Sequence, residues 1–250
     1  MMKVTLLGTS SAAGSRERDN TYLLLEHDQD AWMIDVGGNP LGKLKQAGMP
    51  LDRIRGVILT HFHIDHIFGL PSLLWGMWLG GRQEALTVYC DAGHAAQLQQ
   101  ILASYRTSEW PIGFAIDIRT FDWTKPSTLF AQGELSVSVF PSLHVGATVG
   151  VRAAVSERVL VYSADTRPNE WIAAQQRIDV LVHEATAARG AISVHTSLEQ
   201  LVRFYPLERI GRVVAVHLTD DEPYGDVLAE CEARVRERIA LGADLMSFPV

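Results

Sequence analysis

Residues 57–70 read VILTHFHIDHIFGL and place three histidines and one aspartate within six positions, between two apolar runs. The first apolar run predicts a buried strand, and the polar residues after it predict a loop at the edge of a sheet. In an extended chain, His61, His63 and Asp65 point to the same side. His66 points elsewhere and reaches a second position nearby. Because imidazole and carboxylate groups bind zinc, manganese and iron, the stretch predicts two ligand pairs for two adjacent cations.

Two cations need more ligands than this stretch supplies, and three other side chains follow predicted strands in the same way. Loops at the ends of strands carry functional side chains in many proteins. Each of the three taken alone is compatible with a structural role, but together they supply what the first stretch lacks. They are His144 after LSVSVF (135–140), Asp165 after RVLVYS (158–163) and His217 at the end of RVVAVH (212–217).

The composition is that of a globular protein. The chain has 250 residues, of which 47% are hydrophobic and 20% charged, so we expect a single domain over residues 1–250. The formal net charge of −7 gives no general attraction to nucleic acid or to an anionic membrane. Two cysteines, Cys90 and Cys231, do not make a disulfide framework, which favours a reducing, cytoplasmic location. The opening MMKVTLLG predicts a strand rather than a signal peptide, and no run approaches the roughly 18 apolar residues of a membrane span.

Short apolar runs and helical patterns interleave along the whole chain, which predicts sheets covered by helices, the α/β class. Two of the runs, separated by Ser156 and Glu157, predict a hairpin. Strands are predicted at 4–8, 21–26, 31–35, 57–60, 86–90, 114–118, 135–140, 149–155, 158–163, 179–184 and 212–217. Helices are predicted at 40–47, 67–79, 93–104, 168–176, 197–204 and 226–241.

The order HxHxDH, His, Asp, His resembles the metallo-β-lactamase superfamily over nearly the whole chain. Asp35 in WMIDVG resembles the aspartate that this superfamily keeps one strand earlier, where it supports the metal loop. The resemblance implies the metallo-β-lactamase-like αββα sandwich, with two mixed β-sheets flanked by helices. It also implies two divalent metal ions, zinc first, with manganese or iron as alternatives. The implied ligands are His61, His63 and His144 for the first metal, Asp65, His66 and His217 for the second, and Asp165 bridging both.

Shorter motifs are similar to the ribonuclease Z-like branch of the superfamily. LLGTSSAAGSRERDNTYLLLE (6–26) resembles its opening, and HEAT (183–186) matches a loop motif of that branch. VHTS (194–197) resembles its His-Ser-Thr loop with the serine and threonine exchanged. By this resemblance, Glu184 and His195 are the pair that delivers a proton.

Three further residues of the HEAT and VHTS motifs, Thr196, Ser197 and His183, have interpretations of their own. Thr196 and Ser197 stand at a predicted helix start, where hydroxyl and backbone groups can hydrogen-bond a phosphate oxygen. Ser197 is equally well interpreted as the cap of that helix, because Gln200 completes a capping-box pattern. His183 is interpreted as a packed residue.

One departure from the branch bears on the substrate. Its tRNA-trimming members carry a long arm between the third-site histidine and the bridging aspartate. Here Asp165 follows His144 by 21 residues, and the predicted hairpin fills that interval. The missing arm and the acidic charge weigh against tRNA as a partner. Relatives without the arm include phosphodiesterases for small substrates, some with a cysteine-ligated structural zinc for which this chain lacks the cysteines.

The favoured function is a dinuclear metal-dependent hydrolase, a phosphodiesterase that attacks a small or nucleotide-like phosphodiester through a metal-bridging hydroxide. Asp65 is predicted to orient the nucleophile. His195, held and kept protonated by Glu184, is predicted to protonate the leaving alkoxide. Relatives are often dimers, so a homodimer is compatible with the resemblance, and no membrane partner is expected.

Three alternatives remain open at this point. The first is a ribonuclease Z-like endonuclease that processes RNA 3′ ends, which predicts a basic groove near the metals. The second is a thioesterase, lactonase or β-lactamase, which shares HxHxDH but gives HEAT and VHTS no role. The third is a non-catalytic metal-holding scaffold that binds a partner or a cofactor.

Overall fold

The computed structural model describes residues 1–111 and 113–250, and its core is a pair of β-sheets packed face to face. Within these described residues, each sheet has seven strands, and helices cover the outer faces. The strands are β1 (Met2–Gly8), β2 (Tyr22–His27), β3 (Asp30–Ile34), β4 (Ile54–Ile58), β5 (Leu86–Asp91), β6 (Ile116–Phe121), β7 (Ser127–Gln132), β8 (Leu135–Pro141), β9 (Val149–Val155), β10 (Arg158–Tyr162), β11 (Ile178–Glu184), β12 (Ile210–Val216), β13 (Ile239–Leu241) and β14 (Ser247–Pro249).

Both sheets are mixed. The first has the order β14-β1-β2-β3-β4-β5-β6, antiparallel from β14 to β3 and parallel from β3 to β6. The second has the order β13-β12-β11-β10-β9-β8-β7, antiparallel from β7 to β10 and parallel from β10 to β13. The predicted αββα sandwich of two mixed sheets flanked by helices is confirmed. So is the predicted hairpin, which is formed by β9 and β10.

Alternation along the strands explains why these segments are so apolar. Leu23 and Leu25 of β2 face the second sheet, whereas Leu24 between them faces the helices. Because both faces are covered, nearly every position is apolar rather than every second one. Across the layer between the sheets, Trp32 of β3 stacks on Phe130 of β7 with ring centroids 5.0 Å apart.

The helices are α1 (Pro40–Gln46), α2 (Ile64–Ile67), α3 (Leu70–Leu79), α4 (Ala95–Ser104), α5 (Glu170–Ala173), α6 (Leu198–Phe204), α7 (Tyr224–Glu230) and α8 (Ala233–Arg236). Side chains of α1, α3 and α4 pack on the first sheet. Side chains of α5, α6 and α7 pack on the second. Within residues 1–111 and 113–250, no helix combines the length and the apolar character that crossing a membrane requires.

The helix predicted at 67–79 is interrupted. The backbone N–H of Gly69 donates to the carbonyl of Val36 at 2.8 Å rather than to a helical partner. A Cβ on Gly69 would lie 2.5 Å from that carbonyl oxygen, so only glycine allows this close approach. The chain therefore forms the short helix α2 and begins α3 after Gly69, with Pro71 in the first turn of α3.

The helix predicted at 226–241 is wrong. Helix α7 ends where Cys231 and Glu232 adopt extended backbone, with ψ of 147° and 144°. After α8, the chain forms β13, in which Ile239 pairs with Val213 of β12. Pairing at the edge of the second sheet stabilises this segment more than the helical propensity of ARVRERIAL does, because tertiary packing contributes more to stability than propensity.

Strands β7, β13 and β14 were not predicted. β7 lies at the edge of its sheet and is partly exposed, so it has no continuous apolar run. β13 and β14 have three residues each, which is too short for a periodic pattern. All three are outer strands, and their position depends on a neighbour rather than on their own sequence.

We expect Gly150→Ala, in β9, to lower the free energy of unfolding by about 1–3 kcal/mol, the usual cost of overpacking. The new Cβ would lie 2.2 Å from the ring of Phe140. That ring is fully buried and stacked at 3.8 Å on Trp171, so it has no room to move. Urea denaturation measures the change.

Gly225→Ala is the matched control, because it lies in α7 and, among the described residues, no heavy atom beyond its own helix backbone and chain neighbours lies within 4 Å of the new Cβ. It should raise the free energy of unfolding by about 0.5–1 kcal/mol, the usual difference between glycine and alanine inside a helix. Equal effects of the two substitutions would contradict the packing of β8 against β9.

Candidate metal centre

The first group of candidate ligands follows β4 of the first sheet. His61 and His63 lie in the loop after this strand, and His63 is the residue from which α2 begins. The expectation that Asp65 shares an extended chain with His61 and His63 is wrong, because the chain becomes helical at Ile64. The helix instead places the Asp65 carboxylate 3.3 Å from Nε2 of His66.

The second sheet supplies the remaining candidates from the ends of its own strands. His144 lies three residues after β8, Asp165 three residues after β10, and His217 immediately after β12. The prediction that these residues stand at the carboxyl ends of strands is confirmed. The two sets of ligands therefore approach one another from opposite sheets, at one edge of the sandwich.

The structure brings all seven predicted ligands together. They form two groups whose ligand atoms lie within 4.8 Å of one another, and Asp165 stands between the groups. One oxygen of Asp165, Oδ2, is 3.8 Å from Nε2 of His61 and of His144 and 3.5 Å from Nε2 of His217. Its other oxygen, Oδ1, is 3.4 Å from Nε2 of His66. The groups are His61, His63, His144 and Asp165, and then Asp65, His66 and His217.

Asp35, at the end of β3, orients one histidine of each group. Its carboxylate accepts a hydrogen bond from Nδ1 of His66 at 2.8 Å. It also accepts the hydroxyl proton of Thr60 at 2.8 Å. Since that hydroxyl has no second proton, Thr60 must accept from Nδ1–H of His61, 3.1 Å away. In their neutral form, both rings therefore carry their proton on Nδ1 and present Nε2 to the cluster.

The other two rings of the first group are also oriented. His144 donates its Nδ1–H to the carbonyl of Val194 at 2.8 Å, which leaves Nε2 free. His63 faces the cluster with Nδ1, which lies 3.1 Å from Nε2 of both His61 and His144. Nε2 of His61, Nδ1 of His63 and Nε2 of His144 thus converge. In these tautomers none of the three nitrogens carries a proton, as metal ligation requires.

Glu184, at the end of β11, has the corresponding position in the second sheet. Its oxygen Oε1 accepts from the backbone N–H of Thr166 at 2.7 Å, next to Asp165. The same oxygen accepts from Nδ1 of His195 at 2.9 Å. His195 also forms a third close group with Asp165 and His217, so its position alone is compatible with an acid or with a ligand.

Buried atoms without partners show that the residues fit a cation. Among the described residues, Nε2 of His66 and Oδ1 of Asp165 are both buried and have no hydrogen-bond partner. Leaving such groups unpaired costs about 1–3 kcal/mol each, more for charged groups. A divalent cation between them would satisfy both atoms. Imidazoles with carboxylates suit zinc, and also manganese or iron.

The charges favour the same conclusion. Burial alone would raise the pKa of Asp165, but the imidazoles of His217 and His66 outweigh it and hold that pKa well below its usual range. The same two rings lower the pKa of Asp65 against the effect of burial. Burial, and then the charge of His66, lower the pKa of His61 far below its usual value. The carboxylates are thus ionised and the His61 ring is neutral, the forms that bind metal. Burial lowers the pKa of His66 and of His217, but the charge of Asp165 outweighs burial and raises both, so these two rings must lose a proton when a cation binds.

Three residues at these strand ends have left-handed backbone although none is glycine. Asp35, Ala164 and His217 have φ of 63°, 50° and 58°. Such conformations cost about 1–3 kcal/mol each and persist where the surroundings impose them. Each turns the chain sharply at the end of a strand, so that a candidate ligand or its support points into the edge of the sandwich.

The two predicted substrate-binding residues lie beside the centre with their hydroxyl groups already engaged. Thr196 and Ser197 are fully buried. Thr196 donates to the carbonyl of Thr166 at 2.6 Å, and Ser197 donates to that of Gly190 at 2.6 Å. The capping box with Gln200 is confirmed. The assignment of these residues to substrate binding stays a prediction, and the function proposed below does not depend on it.

His183 is a packed residue, as predicted. It is fully buried, donates Nδ1–H to the carbonyl of Glu184 at 2.7 Å, and accepts the hydroxyl proton of Tyr205 at 2.7 Å.

Sequence reasoning missed Thr60, Thr166 and Thr186, whose groups hold the candidate ligands and the acid pair. Their only signal is adjacency, since each stands within two residues of a predicted site residue.

Comparisons with known proteins show which proteins this chain resembles. The family model described as anti-Pycsar protein Apyc1 matches residues 2–233. Ribonuclease Z of Methanothermobacter thermautotrophicus is 25% identical over 298 residues, which covers 100% of this chain and 97% of the relative.

Solved structures share the fold. The metallo-β-lactamase fold protein YhfI of Bacillus subtilis superposes with a TM-score of 0.81 at 18% identity, covering 100% of both chains. A diphosphatase from the PhnP family superposes with a TM-score of 0.79 at 16% identity, covering 100% of this chain and 98% of that one. The resemblance to the ribonuclease Z-like branch of the metallo-β-lactamase superfamily is confirmed.

We expect Asp165→Ala to lose bound metal and hydrolytic activity together, because this carboxylate lies between the two groups of ligands. Metal per chain, measured by atomic absorption after dialysis against zinc, should fall well below the wild-type value. The thermal stabilisation that zinc gives the wild type should fall with it.

Asp117→Ala, an exposed aspartate in the edge strand β6, is the matched control and should retain both metal and activity. Full metal content in Asp165→Ala would show that Asp165 does not bridge.

Proposed function

The chain belongs to the family described as anti-Pycsar protein Apyc1, and on that premise we propose that it is a dinuclear metal-dependent phosphodiesterase. It is a hydrolase of the metallo-β-lactamase fold, related to ribonuclease Z. The proposed substrate is a small or nucleotide-like phosphodiester. The two metal ions are proposed to be zinc, with manganese or iron as alternatives.

One observation carries the proposal: Asp165, in the first group of candidate ligands, also lies within 3.5 Å of His66 and His217 of the second group, and an imidazole–carboxylate pair stands beside them. When bound, two adjacent cations neutralise charge on a phosphate and lower the pKa of a water molecule. The pair of His195 and Glu184 then supplies what the metals do not, a proton for the leaving group. Phosphodiester hydrolysis needs both functions, whereas a metal-holding scaffold needs neither the pair nor its orientation.

Two residues have named roles in this reaction. Asp65 lies in the second group, with Oδ2 3.5 Å from Nε2 of His217, and its carboxylate orients the attacking water. His195 donates Nδ1–H to Glu184, so Nε2 is the atom that gives a proton to the leaving alkoxide. Its side chain is 19% exposed, which leaves room for a substrate to approach.

The environment of His195 suits an acid. Burial lowers its pKa, but the hydrogen bond and charge of Glu184 outweigh burial and raise it. A raised pKa keeps more of the ring protonated at neutral pH, when a leaving group needs the proton.

RNA 3′-end processing is the second candidate, because the relative from Methanothermobacter is named ribonuclease Z. The hairpin of β9 and β10 occupies the interval where tRNA-trimming members carry their arm. The net charge of −7 further disfavours a polyanion of many phosphates. These two features favour a small substrate over tRNA.

A cytoplasmic location is part of the proposal. Cys90 and Cys231 are free thiols, and Cys90 is buried. Burial raises the pKa of Cys90 to about 11, so the thiol is unreactive. A pair of unlinked cysteines fits a reducing compartment.

A substrate comparison tests the reaction class. Metal-depleted protein is reloaded with zinc or manganese and given bis-p-nitrophenyl phosphate, nitrocefin, a lactone or a precursor tRNA. We expect turnover of the phosphodiester alone. Faster turnover of nitrocefin or the lactone would replace the proposed reaction by carboxylic chemistry, and cleavage of the tRNA would favour the second candidate. Two bound metals without any turnover would favour a scaffold.

We expect His195→Ala to retain its metal and to lose about 10²–10⁴-fold in turnover on a phosphodiester with an alkyl leaving group, the usual contribution of a general acid. The loss on bis-p-nitrophenyl phosphate should be much smaller, because p-nitrophenolate leaves without a proton. Steady-state kinetics with both substrates measures the difference.

His27→Gln, at the far end of β2 from the metal loop, is the control and should leave both rates unchanged. Full turnover of the alkyl ester by His195→Ala would remove the acid assignment. Loss of metal would instead make His195 a ligand.

A further inference from the structure

We propose that Thr186 is a positioning residue that fixes the ring of His217 and ties it to the carboxylate that holds His195. Its hydroxyl oxygen lies 2.6 Å from Oε2 of Glu184 and 2.8 Å from Nδ1 of His217. The effect on His217 requires only a metal centre. The effect on His195 rests on the proposed function.

Proton counting determines the direction of both hydrogen bonds. An ionised carboxylate only accepts, so the single hydroxyl proton of Thr186 goes to Glu184. Thr186 must then accept the bond from Nδ1–H of His217. The lone pair of His217 is thereby confined to Nε2, which lies 3.5 Å from Oδ2 of both Asp65 and Asp165. Thr186 thus selects the tautomer that faces the candidate metal position.

The backbone of Thr186 is held rigidly enough for this role. Its N–H donates to the carbonyl of Thr196, the residue after His195, at 3.0 Å. Its carbonyl accepts from the hydroxyl of Thr219, two residues after His217, at 2.7 Å. The residue that joins Glu184 to His217 is therefore itself fixed to the two loops that carry His195 and His217.

The two oxygens of Glu184 then have separate tasks. Oε1 accepts from His195 and from the backbone beside Asp165, and Oε2 accepts from Thr186. One carboxylate consequently positions the acid on one side and a candidate ligand on the other. His217 is buried, so removing the Thr186 hydroxyl leaves its Nδ1–H without a hydrogen-bond partner. The imidazole ring can then rotate about its Cβ–Cγ bond.

Thr60 makes the same arrangement in the opposite sheet and offers a matched comparison. Its hydroxyl donates to Asp35 and accepts from His61, a ligand of the first group. Thr186 serves His217, in the second group. Loss of each hydroxyl should therefore weaken a different one of the two metal-binding steps.

The experiment compares Thr186→Val, which removes the hydroxyl at nearly constant volume, with Thr186→Ser, which keeps it. Zinc affinities come from titration against a chelating indicator, without substrate. We expect Thr186→Val to weaken one of the two binding steps about 10–100-fold, the usual effect of losing a partner of a metal-binding histidine. Thr186→Ser should bind as the wild type does. Thr60→Val should weaken one step and the double variant both.

A second readout follows the His217 ring directly. In metal-free protein at an alkaline pH, where the His217 ring is neutral, ¹⁵N chemical shifts of the imidazole distinguish a proton on Nδ1 from one on Nε2. We expect the Nδ1–H form in the wild type and in Thr186→Ser, and a mixture in Thr186→Val. Should Thr186→Val fail to fold, Thr186→Ala carries the same tests.

Three results would overturn the proposal: unchanged zinc affinity and tautomer in Thr186→Val, equal weakening of both binding steps, or the same loss in Thr186→Ser. Turnover is measured separately. Weakened zinc binding in Thr186→Val, with no phosphodiester activity even in the wild type, would keep the His217 assignment and remove only the proposed reaction.

Discussion

The candidate metal centre depends on two buried carboxylates, one at the end of a strand in each sheet. Asp35 orients His61 through Thr60 and His66 directly. Glu184 orients His195 directly and contacts the backbone beside Asp165. An imidazole ring has two nitrogens and can rotate, so either nitrogen can face a cation. A cluster of histidines therefore has no defined set of ligand atoms until each ring is fixed by a hydrogen bond to its other nitrogen. These carboxylates fix the rings before any cation arrives, which lowers the cost of organising the site on binding.

Much of this arrangement is predictable from the sequence, because strand ends are marked by where apolar runs stop. His144, Asp165 and His217 were found in this way, and the ordered motif HxHxDH identified the superfamily. The extended-chain argument put Asp65 beside His61 and His63, because a helix turn of four residues is too short to show in a pattern. The superfamily motif put Asp65 with His66 and His217, and there the structure has it. The threonines that complete the hydrogen-bond network were missed because a single hydroxyl between two loops leaves no periodic trace.

The failures elsewhere in the fold have a related cause. The segment ARVRERIAL has good helical propensity, yet it ends in β13, because the edge of β12 offers backbone partners that no local pattern records. β14 likewise exists only by pairing with β1. Local propensity predicts elements that are stable through their own periodicity. It fails where a short segment is stabilised by a neighbour far away in sequence, and such segments lie at the outer edges of both sheets here.

The candidate ligands come from both sheets, so a bound cation would cross-link the two sheets of the sandwich. The distances among its donors are then set by how the sheets rest on one another, including contacts such as that of Trp32 on Phe130. A substitution that thins this layer would change the spacing of the donors without touching any of them. In a survey of natural variants, such a substitution would weaken metal binding as the loss of a ligand does, although it alters only the packing between the sheets.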